Sequence, residues 1–214
     1  MITTALQAKL HASTPESLPF ARSLDARAFL LEREAGNILI YSTTSVDADP
    51  FWLGHYGGVE RRYLTHGHEA MFPSQAGGAP LFVHRDDAEA TRQTMEVRAT
   101  FSRRHHLDED FEVIPIPGHT PGSTAYLWDS GERRYLFTGD SIYLNRGEWR
   151  GALLDSSDRG SYLESLDLLR HLEFDVLVPW IARAGEPFMA ETDPDDTYRR
   201  IGGIIDRIWA GKSG

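Results

Sequence analysis

Cysteine is missing from the chain altogether. Disulfides and zinc–thiolate centres are thereby excluded, so any metal must be held by His, Asp or Glu. Long apolar runs are missing too. No stretch approaches the roughly 20 residues that a membrane-spanning helix needs, and the start, Met1 to Ser13, carries Lys9 without the apolar segment of a secretory signal. A cytoplasmic protein with no membrane partner is expected. Positive charge is scarce: 22 Lys and Arg stand against 32 Asp and Glu, a formal net charge of −10. Such a surface repels nucleic acid unless a basic patch is concentrated somewhere. The best patch, Arg103-Arg104-His105-His106, is followed at once by Asp108, Glu109 and Asp110, and reads as a solvated turn. The expected partner is therefore a small-molecule substrate and not nucleic acid. The oligomeric state is left open.

What is present is a core. Hydrophobic residues make up 41% of 214 residues, enough for one domain over 1–214 that buries about 70% of its unfolded surface. Ala28 to Glu34 and Asn37 to Ser42 read as a hairpin turning at Ala35-Gly36. Short strands are expected at Arg62 to Thr65 and Pro80 to His84, then a helix near Asp86 to Met95. Three strands follow at Phe111 to Ile116, Thr124 to Trp128 and Tyr135 to Thr138, separated by Pro-Gly and Asp-Ser-Gly turns. Ser161 and Glu164 have capping-box spacing before a stripe of Tyr162, Leu166 and Leu169. Asp175 to Pro179 reads as a buried strand. The last helix is expected to start at Thr192 or Asp193, with Pro194 in its first turn and Tyr198, Ile201, Ile205 and Ile208 on one face. Gly202-Gly203 inside that helix costs on the order of 1 kcal/mol each relative to Ala, which a close helix–sheet contact would explain. Hairpins dominate the connections, so a mixed or antiparallel sheet pair with helices outside is expected.

Three clusters carry chemistry. Thr65-His66-Gly67-His68-Glu69 follows a strand, and in an extended segment residues two apart point to one side, so His66 and His68 can reach one ion together. The same alternation points Glu69 away, as a solvated carboxylate. In Pro117-Gly118-His119-Thr120-Pro121-Gly122-Ser123, two Pro-Gly turns hold one histidine at a defined point. Leu136-Phe137-Thr138-Gly139-Asp140 ends a strand in a carboxylate. Taken singly, each has a plain reading as an exposed turn.

Their order and wording together resemble the metallo-β-lactamase superfamily, nearest its glyoxalase II-like branch. The resemblance runs from about Ala28 to Pro179 and includes Leu81-Phe82-Val83-His84 after the first motif. It implies an α/β fold, a four-layer αββα sandwich with a metal site at one edge of the paired sheets. It further implies one metal on His66, His68 and His119, with Asp140 usually bridging to a second. The ligands of that second metal are absent. The family's H-x-H-x-D-H motif ends here in Ala70 and Met71, its late P-G-H-G loop reads Pro179-Trp180-Ile181-Ala182 with Ile181 at the ligand position, and the aspartate that follows the second strand is Tyr41.

Three His and one Asp fill a tetrahedral zinc, the pattern of a structural site; iron or manganese would keep two of six positions open. The cofactor expected is one divalent ion, zinc ahead of iron or manganese. The leading function is a mononuclear metal-dependent hydrolase of a small ester, thioester or lactone, with Asp140 as catalytic residue. Against it stands a degenerate, non-catalytic member with a structural metal or none. A third reading is an iron-dependent oxidoreductase of the persulfide dioxygenase type, whose ligands fall on His66, His119 and Asp140. Weaker candidates are Trp180 as a wall of the emptied space, His55 at the mouth of the site, and Arg183 as a residue reaching the site to attract an anion.

Overall fold

A computed structural model describes residues 9–212. The leading stretch read above as lacking a secretory signal falls largely outside them. The expected hairpin is present: Phe29–Leu31 pairs antiparallel with Ile38–Ile40, and all six residues are buried. These strands sit inside a six-stranded sheet ordered Leu10–Ala12, Phe29–Leu31, Ile38–Ile40, Arg61–Tyr63, Leu81–His84, Ala99–Phe101. From Ile38–Ile40 onward its pairing is parallel.

A second six-stranded sheet runs Ala190–Glu191, Val176–Val178, Arg134–Phe137, Thr124–Asp129, Phe111–Pro115, His105–Asp108. Its residues alternate between two buried faces, as the period of a strand requires. Phe111, Val113, Tyr126, Trp128 and Phe137 face the first sheet, while Ile114, Ala125, Leu127 and Leu136 face the helices Arg159–Leu169 and Pro194–Trp209. The outer face of the first sheet is covered by short helical segments through Leu30, Leu39, Val46 and Leu53, and through Leu64, Leu81, Val83 and Ala88. The layers are therefore helix, sheet, sheet, helix. A five-stranded sheet not anticipated from sequence, ordered Glu148–Arg150, Tyr143–Asn145, Ile181–Arg183, Ala21–Ala26, Glu16–Leu18, completes the fold. Among the described residues no helix is long and apolar enough to cross a membrane.

Several details differ from expectation. The helix predicted near Asp86 to Met95 is a 3₁₀ turn, Arg85–Asp87, followed by only Ala88–Thr91. The helix Arg159–Leu169 is capped by Asp158, whose carboxylate accepts from Ser161 N–H, so Ser161 lies inside the first turn rather than at the cap. On the last helix the buried stripe is Thr197, Ile201, Ile204 and Ile208; Tyr198 is half exposed. A Cβ on Gly202 would meet nothing within 4 Å, so no close contact demands that glycine.

Candidate metal centre

The strand Arg61–Tyr63 delivers the chain to Thr65 and His66, after which Gly67–Met71 turns as a 3₁₀ helix. That turn reverses the expectation for Glu69. Residues three apart eclipse in a 3₁₀ helix, so Glu69 folds back beneath His66 and is fully buried, not solvated. Its carboxylate accepts hydrogen bonds from Thr65 N (2.7 Å), Thr65 Oγ1 (2.5 Å) and Ser42 N (3.0 Å), and lies 3.3 Å from His66 Nδ1. His119 sits between two strands of the second sheet on a loop pressed against the helix behind it: a Cβ on Gly118, at φ 138°, would come within 2.3 Å of Tyr162 Cα. Asp140 follows Gly139, where φ is 56° and a Cβ would lie 2.1 Å from Thr65 Oγ1. Only glycine fits such a place.

Asp87, to which no motif pointed, and Tyr41, noted above only as standing in place of the family's aspartate, brace the loops of the site. Asp87 accepts from Gly67 N (2.7 Å), Thr120 Oγ1 (2.6 Å) and Gly122 N (2.9 Å), tying the His66 loop to the His119 loop. Its position after the Leu81–His84 strand, in His84-Arg85-Asp86-Asp87, was the available signal. Tyr41, buried at φ 71°, donates to Val178 O (2.5 Å) and accepts from Gly139 N (3.1 Å), joining three strand ends beside Asp140.

The structure brings His66, His68, His119 and Asp140 together. The ligand nitrogens of the three histidines lie within 4.8 Å of one another and could hold one metal ion. His68 Nδ1 is 3.1 Å from His119 Nε2; Asp140 Oδ2 is 3.4 Å from His66 Nε2 and 3.8 Å from His119 Nε2. Bonds of 2.0–2.1 Å to a tetrahedral centre imply ligand–ligand edges of about 3.3–3.4 Å, so the donor set fits a single small divalent ion. The tautomers fit as well. His119 Nδ1 is 2.7 Å from Ala152 O and His66 Nδ1 is 3.0 Å from Thr65 Oγ1, which turns each Nε2 toward the cluster. His66 Nε2 and Asp140 Oδ1 are buried with no hydrogen-bond partner, and buried polar atoms rarely stay unpaired.

The electrostatics are coupled. At His66 burial opposes the charge, but Asp140 and Glu69 outweigh it and lift the imidazole to about 10. Burial and then the His66 charge press His119 down to about 4, and lower His68 by the same causes. Burial would raise Asp140, yet the three histidines, His66 first, hold it below its usual value.

The weaker candidates separate. Trp180 packs edge-on to His66 at 5.4 Å, donates from Nε1 to Ser42 O, and lines a cavity of about 430 Å³ with Met71, His68 and Asp140. Ile181 is buried in the core between the sheets and does not line that cavity. His55 is exposed against Tyr56, and Arg183 pairs with Glu186.

An αββα sandwich with three histidines and a carboxylate gathered where strands of both sheets end defines a metal-binding class of protein. The family model described as the metallo-beta-lactamase superfamily matches residues 26–179, and the chain belongs to that superfamily, which includes hydrolases and oxidoreductases. No curated protein matches the sequence significantly. Solved structures match across almost the whole chain. A metallo-beta-lactamase from Pontibacter korlensis has a TM-score of 0.69 at 16% identity, covering 95% of this chain and 97% of that one. The metallo-beta-lactamase FIM-1 from Pseudomonas aeruginosa in its mono-zinc form gives 0.69 at 13%, covering 96% and 94%. A metallo-beta-lactamase family protein from Thermus thermophilus gives 0.65 at 18%, covering 94% and 80%. At these identities the likeness is one of fold.

Proposed function

We propose that the protein is a mononuclear metal-dependent hydrolase of small esters, thioesters or lactones, with its ion on His66, His68, His119 and Asp140. One observation carries the reading. Four donors converge with two orphaned buried atoms among them, while Ala70 and Met71 stand where the resemblance would put ligands of a second metal. A divalent ion held there would supply Lewis acidity and a nucleophile at neutral pH. The chain does the rest. Ala152 O and Thr65 Oγ1 keep the Nε2 lone pairs of His119 and His66 aimed inward. Asp140, held anionic, keeps Oδ1 free to accept a proton or hydrogen bond from an incoming water. Trp180 packs edge-on against His66 and helps to bury it. Phosphodiesters suit the site less, because their cleavage usually draws on two metals.

The test is elemental analysis after loading with zinc, iron or manganese, followed by ester, thioester and lactone panels. One ion per chain together with hydrolysis supports the proposal. Two tightly held ions would refute the mononuclear assignment. One ion that raises the melting temperature without any hydrolysis would leave a structural metal, and iron with no hydrolysis would move the reading to the oxidoreductases.

A further inference from the structure

We propose that the substrate is neutral, with an apolar acyl or aryl group, and that this group occupies the cavity beside Asp140 lined by Ala70 and Met71. The bond broken rests on the hydrolase reading: water adds across the acyl C–O or C–S bond and yields a carboxylic acid with an alcohol or thiol. The choice of occupant rests on the cavity itself. Phe20, Ala70, Met71, Ala90 and Trp180 supply its apolar walls. The polar side chains that complete it outside the histidine cluster, Gln93 and Thr94, are uncharged, and no Lys or Arg lines it. The one carboxylate on the wall is Asp140, which belongs to the metal donor set. Apart from the metal itself, a phosphate or carboxylate on the group that fills the cavity would find no cationic side chain among the lining residues and would lie against apolar walls instead.

The mouth points the same way. Among the described residues only six large apolar side chains are exposed, and two of them, Phe20 at 73% and Met71 at 41%, line this one cavity. Apolar side chains gathered at the rim of a concave site mark a surface that gains by being covered. The volume of about 430 Å³ lies within the range of small-ligand pockets. Met71 becomes the residue that sets specificity: at a position where the family carries a metal ligand, it offers a flexible, polarisable apolar wall.

The experiment uses the metal-loaded full chain with acetyl, butanoyl and hexanoyl thioesters, and with a succinyl thioester as the charged counterpart of butanoyl. Burial of each methylene should raise kcat/KM about four-fold, and the succinyl substrate should fall at least ten-fold below butanoyl. In parallel, calorimetry on metal-free protein measures binding of butanamide, hexanamide and octanamide, which are neutral and are not the substrates of the first assay. Met71→Lys, and independently Phe20→Ser at the exposed rim, should flatten both chain-length series with the fold retained by melting. Series that are flat in the parent protein, or a preference for succinyl, would overturn the assignment. Amide binding that grows with chain length and is lost in Met71→Lys, without any hydrolysis, would uphold the apolar occupant and defeat the hydrolase reading.

Discussion

Replacing Glu69 with Gln alters one buried charge and almost no volume. In the native protein the carboxylate accepts from Thr65 N, Thr65 Oγ1 and Ser42 N and touches the Nδ1 side of His66. A Gln side chain keeps one oxygen. Its amide NH₂ must then face either the Ser42 N–H or the Thr65 donors, so at least one buried donor meets a donor. A hydrogen bond to a charged group contributes about 1.5–3 kcal/mol, and a buried donor left unpaired costs about 1–3 kcal/mol. Together they predict a loss of about 3–5 kcal/mol, which for a chain of this size is a fall in melting temperature on the order of 10 °C. Glu89→Gln, at an exposed position, should stay within about 0.5 kcal/mol. Urea unfolding of the metal-free proteins measures the difference. The metal should be affected as well: without the carboxylate under His66, affinity should fall about 10–100-fold. A Glu69→Gln protein within about 1 kcal/mol of the parent, with unchanged metal affinity, would mean that the charge under His66 is not what holds this loop.

Three further outcomes follow from other parts of the molecule. Asp140→Asn removes the charge and most of the basicity beside the three histidines, and should keep the fold, weaken the metal, and reduce any hydrolysis about 100-fold or more; full activity with unchanged metal affinity would take Asp140 out of the site. Gly202→Ala lies inside the last helix with open space around the new Cβ, and should raise stability by about 0.5–1 kcal/mol in urea unfolding. Asp110 is held below its usual value because its hydrogen bonds and charge contact with Arg33 outweigh burial. Its folded pKa is thus lower than its unfolded one, so its contribution is complete above about pH 4 and disappears as pH falls through the folded value. The gap in urea midpoint between the parent and Asp110→Asn should accordingly close between pH 5 and pH 2.

The parts legible in the sequence were those governed by local chemistry. The Phe29–Leu31 and Ile38–Ile40 hairpin, the Val176–Val178 strand and the Asp193-Pro194 helix start each follow from turn residues, apolar runs and capping that lie within a few positions. Motif order pointed to His66, His68, His119 and Asp140, which the fold brings close together. Glu69 was misjudged because strand alternation was extended past Gly67, where the chain has already become a 3₁₀ turn. The Ser161–Glu164 box lost to Asp158, three residues before Ser161, a competition that spacing alone does not decide. The five-stranded sheet went unread because its strands are short and half polar. Its clearest trace was Asn145-Arg146-Gly147-Glu148, whose central residues both have positive φ, as a tight hairpin of this twist requires. Asp87 and Tyr41 hold loops far from them in sequence, so their roles appear only once the strands are assembled.

Asp87 has a kinetic consequence. The amide protons of Gly67 and Gly122 both end on its carboxylate, although one belongs to the loop of His66 and His68 and the other to the loop of His119. Neither loop can swing out without giving up a bond to the carboxylate that also holds the other. The two should open as one cooperative unit, so that in native-state hydrogen exchange these distant amides would be released together. Removal of an ion bound by the cluster would then loosen both loops at once, and Asp87→Ala should split that single opening event into two.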